Sequence, residues 1–376
     1  MKKKVACLAM AMVMVLSLAA CGGKKEEAPA AAPAESGSDS SVSVFKVGTI
    51  GPLSGDAAIY GQAVANGAKI AVDEINAAGG AIQFELQSQD DEADGEKSVN
   101  AYNTLMDWGM QVMVGPTTTG ASIAVSAQAN ADRTFMLTPS ASSVDVIDGK
   151  DNVFQVCFTD PNQGVASADY ISANMAGAKV AVIYRNDDAY SQGIRDTFVS
   201  EAADKGLEVV YEGTFTADTV FLPIYYQPAS VILNQANAMG YEPTFFGVDG
   251  MDGILTMEGF DTSLAEGVML LTPFSADAED ARTQTFVKAY QDQFGETPNQ
   301  FAADAYDAVY IYAAALEAAG CTADMSSADI CEALVGVMTT ISVDGLTGQG
   351  MTWDASGAVS KAPMAVIIEN GTYVLP

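Results

Sequence analysis

From residue 44 onward the chain alternates short apolar runs with longer amphipathic stretches. Residues 44–50 predict a strand, 51–55 (GPLSG) a turn, and 60–77 a helix. In that helix Val64, Ala68, Ala71, Val72 and Ile75 recur at i, i+4, i+7, i+8 and i+11. Gly79-Gly80 ends it. A strand over 82–88, a helix over 96–108 and strands over 111–114 and 135–137 follow. The last two run into Gly115-Pro116 and Thr138-Pro139, each followed by hydroxyl residues. The pattern then predicts strands over 179–184, 208–215, 219–224, 244–248 and 267–271, with helices over 191–205 and 229–239 between them. Helices over 281–294, 301–319 and 327–338 precede a Gly-rich, strand-like tail. Repeated βα units predict an α/β protein with parallel sheets covered by helices on both faces. There are too many units for one sheet, so two Rossmann-like lobes are expected.

One junction breaks the pattern. Only Thr216, Ala217 and Asp218 separate the strands expected over 208–215 and 219–224. A parallel crossover needs a dozen or more residues, so either these two are antiparallel neighbours or one is not a regular strand.

The first residues read differently. A basic head, Lys2 to Lys4, an apolar run to Leu18 and the sequence Leu18-Ala19-Ala20-Cys21 have the layout of a signal peptide over residues 1–20. The run is too short for a comfortable membrane span. Small residues before Cys21 resemble a bacterial lipobox, which implies cleavage there and a lipid on Cys21. Residues 21–43, rich in Ala, Pro, Ser, Gly and Glu, predict a disordered tether.

Composition removes whole classes of chemistry. The formal charge is −31 with no basic stripe, which argues against nucleic acid as a partner. Histidine is absent, excluding Ser-His and Cys-His relays and His-ligated zinc. No Gly-x-x-x-x-Gly-Lys or Gly-x-Gly-x-x-Gly follows a strand, so nucleotide binding loses its main support. Asp90-x-Glu92-x-Asp94-Gly95 partly follows a calcium loop, but Ala101 stands where that loop needs Glu; a solvated sheet edge is the simpler reading. The acidic pairs Asp187-Asp188 and Asp249 with Asp252 have separations the sequence does not set. Cys321 and Cys331, ten residues apart, suit either a disulfide or two reduced thiols.

Candidate binding residues gather at predicted strand ends. The first half supplies Tyr60, Thr117, Thr118, Thr119, Ser140 and Ser142; the second supplies Tyr190, Tyr225, Tyr226 and Asp249. Ligands dock at such ends, where helix N-termini and hydroxyls suit a carboxylate. Taken singly, Thr119 would serve as well as a helix cap. Taken together, the set predicts a zwitterion held by its carboxylate on one lobe and its ammonium on Asp249.

Several stretches carry a family resemblance: 48–55 (GTIGPLSG), Tyr60-Gly61, 71–76 (AVDEIN), Asp90-Asp91, Gly115-Pro116, 138–142 (TPSAS), 190–193 (YSQG) and 306–310 (YDAVY). With them the chain from about residue 44 resembles the branched-chain amino-acid type of periplasmic solute-binding protein of ABC transporters. The resemblance implies the type I fold, two lobes joined by three crossovers and closing on a ligand. Lobe 1 would comprise 44–158 plus about 276–340, and lobe 2 159–275 plus about 341–376. Thr119 and Ser142, with nearby backbone N–H groups, would hold the ligand's carboxylate. The Ser140 carbonyl and the Asp249 side chain would take its ammonium. Tyr60, Tyr190, Tyr226 and Phe301 would form the walls, and Thr118 and Ala141 complete the set. Asp249 stands where the family usually carries Glu. The family also has a helix between strands like 208–215 and 220–224, so the second lobe here lacks one helix, roughly 20 residues. The implied protein is a monomeric, lipid-anchored receptor on the extracytoplasmic face of the cell membrane. It delivers an amino acid to a membrane permease, with no catalysis, cofactor or metal. A sensor of the same fold feeding a signalling receptor is the alternative, and a surface hydrolase a more distant one.

Overall fold

The computed structural model describes residues 42–210 and 218–376. The expected signal peptide, Cys21 and nearly all of the expected tether lie outside the described residues, as does the stretch 211–217.

The first sheet is built from alternating units. Strand β1 (Ser43–Gly51) leads to α1 (Ala58–Ala78), β2 (Ile82–Asp90) to α2 (Gly95–Trp108), and β3 (Val112–Val114) to α3 (Thr119–Asp132). Strands β4 (Phe135–Thr138) and β5 (Val153–Gln155) complete a parallel sheet of order β2-β1-β3-β4-β5. Helix α1 ends where Gly79 takes φ 70°, a conformation that suits glycine.

The chain then enters α4 (Asp160–Asn174), which the apolar pattern does not announce because its buried face is largely Ser, Gly, Gln and Ala. There follow β6 (Lys179–Val182), α5 (Ala189–Asp204), β7 (Glu208–Val209), β8 (Thr219–Leu222), α6 (Tyr226–Met239), β9 (Thr244–Gly247) and β10 (Met269–Thr272). Helices α7 (Ala281–Phe294), α8 (Gln300–Ala319) and α9 (Ser327–Met338) precede a hairpin of β11 (Met364–Glu369) and β12 (Thr372–Val374). The second sheet has the order β12-β11-β10-β9-β8-β6-β7, parallel from β10 to β7 and antiparallel at the hairpin. Helices α4 and α5 pack on one face over Val180, Phe221 and Phe246, and α6 covers the other over Val220, Leu222 and Phe245.

At the short junction the first of the two expected alternatives fails. Strands β7 and β8 are not antiparallel neighbours: both run parallel to β6, on opposite sides, with Val180 opposite Val209 and Thr219. Backbone bonds continue the pattern from Val210 N to Val180 O at 2.8 Å and from Asp218 N to Lys179 O at 3.1 Å. The polar backbone of β6 is satisfied on both edges by this arrangement, which a β7–β8 hairpin would not achieve. Of the strand expected over 208–215, only Glu208–Val209 is a regular strand among the described residues.

Helix α8 is central. It packs along α1 at a point where a Cβ on Gly67 would stand 2.0 Å from the Ala302 carbonyl oxygen, so only glycine fits. The Tyr312 hydroxyl donates to the carbonyls of Met113, at 2.7 Å, and Phe135, at 3.2 Å, fixing α8 on the first sheet. Its inner face also carries charge. Lys361, from the segment before β11, reaches Asp304 at 2.6 Å, with both side chains at most 3% exposed. Asp307 accepts from the backbone of Leu346 and Thr347 and from the Thr347 hydroxyl. Cys321 and Cys331 are both buried and unpaired. Among the described residues no helix is long and apolar enough to cross a membrane.

Candidate functional site

The carboxyl end of β3 delivers Thr117, Thr118 and Thr119, all buried. Thr117 donates to the Ile50 carbonyl at 3.2 Å and so serves the loop. Thr118 occupies the N-cap position of α3 yet makes no capping bond, and its hydroxyl has no partner. Thr119 is the first helical residue, so the simple capping role does not hold for it. The first turn of α3 adds N–H groups that helical bonding leaves free. The loop after β4 is stiffened by Thr138, which donates to the Pro116 carbonyl at 2.8 Å and accepts from Ala141 N at 3.0 Å. Gln155 donates to the carbonyls of Ala141 and Ser143. Ser140 turns its hydroxyl to the Thr117 carbonyl at 2.7 Å, whereas the buried Ser142 hydroxyl has no well-aligned partner. A buried donor without a partner costs roughly 1–3 kcal/mol, so the Thr118 hydroxyl at the start of α3 marks a polar ligand site.

Across from these hydroxyls, the short 3-10 turn that follows β9 begins with Asp249, 3% exposed. Its N–H donates to Gln163 Oε1 at 3.1 Å, its carbonyl accepts from Gln300 Nε2 at 3.2 Å, and its Oδ1 accepts from the Tyr190 hydroxyl at 2.6 Å. Burial pushes the Asp249 carboxyl up to about 6, against the bonds from Tyr190 and Gln163 that favour the ion. Aromatic rings close the space. Tyr60 lies 4.4 Å from Phe301 and 5.3 Å from Tyr225, and Tyr190 lies 4.9 Å from Tyr225, centroid to centroid.

As these rings stand, the space they close is a cavity of about 10 Å³, room for about one water. Tyr60, Thr118, Thr119, Ser140, Tyr190, Asp249 and Phe301 line it, as do Thr117, Tyr225 and Gly250. Ala141 and Ser142 stand behind Ser140 and outside the lining. Tyr226 packs behind Tyr60, at 5.0 Å, and lines a larger outer cleft of about 440 Å³ instead. Adjacent tyrosines at 225 and 226 point to opposite sides, and the sequence carries no signal for which faces inward. Gln163 and Asp160, on the first turn of α4, had no motif to mark them. Asp160 is fully buried beside Ser142, and neither of its oxygens completes a well-aligned bond. Burial drives its carboxyl well above the ordinary range, the Ser142 hydroxyl offsets part of this, and Asp249 adds to it.

The acidic run beyond β2 is structural. Asp90 accepts from Leu53 N and the Ser54 hydroxyl, and Asp94 caps α2 by accepting from Lys97 N at 2.9 Å. Asp91 is fully buried against Ser98, so that residue departs from the solvated edge expected. Among the described residues no cluster could hold a metal ion.

No Lys or Arg lines the cavity. A carboxylate there meets only hydroxyls and backbone donors, while a cationic group meets Asp249. The arrangement suits a small ligand with both charges.

Comparisons with known proteins agree on one family. A family model described as periplasmic binding protein matches residues 44–372. The chain is 29% identical over 301 residues to the Leu/Ile/Val-binding protein BraC3 of Rhizobium johnstonii, covering 74% of this chain and 80% of that protein. It is 30% identical over 314 residues to Leu/Ile/Val-binding protein homolog 3 of Brucella melitensis, covering 77% and 82%. Among solved structures it is similar to the branched-chain amino-acid transporter protein LivJ of Streptococcus pneumoniae in complex with isoleucine. That match has a TM-score of 0.77 at 29% identity, over 88% of this chain and 97% of that one. A solute-binding protein of Rhodopseudomonas palustris in complex with 3,4-dihydroxybenzoic acid shares the fold, with a TM-score of 0.76 at 20% identity over 88% and 95%.

Proposed function

The chain belongs to the periplasmic binding protein family, and we propose that it captures a small neutral amino acid in the cavity between its two sheets. The observation that carries this reading is the pairing of Asp249 with the unpartnered Thr118 hydroxyl in one cavity. Asp249 takes the ammonium. Thr118, Thr119 and the first turn of α3 take the carboxylate, with Ser142 and Ala141 shaping the loop from behind. The ammonium restores the charge balance that burial of Asp249 upsets.

The same acid argues against an aromatic acid as ligand. A benzoate-like anion brings no ammonium, and its charge would stand beside Asp249 without a cation to offset either. A dicarboxylic amino acid brings an ammonium for Asp249 but also a second carboxylate, for which the lining holds no cation.

In this reading the ligand passes to an ABC permease, and Cys21 carries a lipid that keeps the receptor at the extracytoplasmic face of the membrane. The first sheet with α8 and α9 forms one lobe, 44–158 plus about 276–340. The second sheet forms the other, 159–275 plus about 341–376. The short 210–218 connection replaces a helical crossover, leaving lobe 2 locally less stable. A helix inserted there raises the melting temperature in this account; equal stability and equal affinity would remove the idea.

Titration calorimetry tests the ligand class. Neutral amino acids should bind at one site while glutamate and benzoate do not; benzoate binding without amino-acid binding would overturn the reading.

A further inference from the structure

The Tyr60 hydroxyl crosses the cleft. Tyr60 belongs to α1, which packs on the first sheet. Its hydroxyl donates to the Gly250 carbonyl and accepts from the Tyr226 N–H at 3.2 Å, and both partners belong to segments of the second sheet's side. Gly250 is bonded on its other flank as well: its N–H donates to the Tyr190 hydroxyl at 2.9 Å, and that hydroxyl donates to Asp249 Oδ1 at 2.6 Å. All of these atoms lie in buried surroundings. A Cβ on Gly250 would stand 2.5 Å from the Tyr190 hydroxyl, so glycine is needed for the approach.

We propose that the Tyr60 hydroxyl is the latch holding the two lobes closed, and that Gly250 couples it to the carboxylate that binds the ammonium. The coupling rests on the amino-acid reading above; the latch does not. The chain of bonds runs from Tyr226 N–H through Tyr60 to Gly250, and from Gly250 through Tyr190 to Asp249. Opening the lobes separates Tyr60 from Gly250 and leaves a buried carbonyl and a buried N–H to find water. Moving Gly250 shifts the hydroxyl that orients Asp249. Ligand on Asp249 and closure at Tyr60 therefore favour one another, which is a coupling free energy between two contacts. Tyr60 is a positioning residue here in addition to a wall, because its effect on the ammonium passes through other groups.

Tyr60→Phe keeps the ring against Phe301 and Tyr226 and removes only the hydroxyl. Small-angle scattering of the ligand-free full chain should show a larger radius of gyration for this variant than for the wild type. Stopped-flow binding of the amino acid identified by calorimetry should show dissociation faster by roughly tenfold with little change in association. Combining Tyr60→Phe with Tyr190→Phe should cost less affinity than the product of the two single losses. Unchanged scattering and dissociation would overturn the latch, and strictly multiplicative losses would overturn the coupling. If no amino acid binds the wild type, the proposed function fails, while the ligand-free scattering still decides the latch. Melting curves for both single variants confirm that each is folded; Tyr60→Trp, which also lacks the hydroxyl, provides a second test should Tyr60→Phe fail to fold.

Discussion

Replacing Asp249 with Asn should make the ligand-free protein more stable at neutral pH while destroying its affinity. The carboxyl is buried, and its folded pKa is pushed from 3.8 up to about 6. An acid with a raised folded pKa favours the folded state in its protonated form. That contribution is fully present below about pH 4 and is lost as pH rises through about 6. Two units at 1.36 kcal/mol each give a penalty of about 3 kcal/mol for ionised Asp249 above pH 7. Asn keeps the shape and cannot ionise, so Asp249→Asn gains up to about that amount at pH 8 and almost nothing at pH 4. Affinity moves the other way, because the ammonium loses its counter-charge in a buried site, at a cost of roughly 2–5 kcal/mol. Denaturant unfolding of both proteins at pH 4, 6 and 8, without ligand, measures the first effect, and calorimetry at pH 8 the second. Asp160 and Asp304 titrate in both proteins, and because the Asp249 charge also raises Asp160, the difference reports Asp249 together with that coupling. A variant less stable than wild type at pH 8, or a difference that does not change with pH, would refute the buried-acid argument.

Three further outcomes follow from the same geometry. Ligand binds the ionised Asp249, so with a pKa of about 6 the affinity should fall roughly tenfold between pH 8 and pH 5, read by calorimetry in matched buffers. Thr118→Val removes a hydroxyl that has no partner in the protein, so stability should stay within about 1 kcal/mol while affinity drops by roughly tenfold; a large loss of stability with affinity intact would reverse the assignment. Lys361→Met leaves Asp304 buried without its cation and should cost about 3–5 kcal/mol in unfolding free energy, much of it recovered when Asp304→Asn is added.

The alternation of short apolar runs with amphipathic helices was enough to foresee two mainly parallel sheets, because buried parallel strands need apolar residues throughout and their helices carry a clear stripe. It failed at α4, whose contact face is built of Ser167, Gly164 and Ala168 and so has no apolar stripe to read. It failed again at β7 and β8, where pairing is decided by β6, a strand some thirty residues upstream of the closer partner. In the site, residues following strand ends were legible: Thr118, Thr119, Ser140, Tyr190 and Asp249 line one cavity. Tyr225 was obscured by its neighbour Tyr226, since consecutive residues at a helix start face different ways and either could turn inward. Gln163 holds Asp249 through its amide from 86 positions away. The Lys361 to Asp304 pair joins the tail to α8, and a lone lysine in a Gly-rich segment gives no sign of a buried partner.

The most direct test is a calorimetric titration of neutral amino acids into the wild-type chain and into Asp249→Asn at pH 8. At least one such amino acid should bind the wild type at one site, with affinity weakened by roughly 30-fold or more in the variant. Binding that survives the substitution, or a wild type that takes up an aromatic acid and no amino acid, would contradict it.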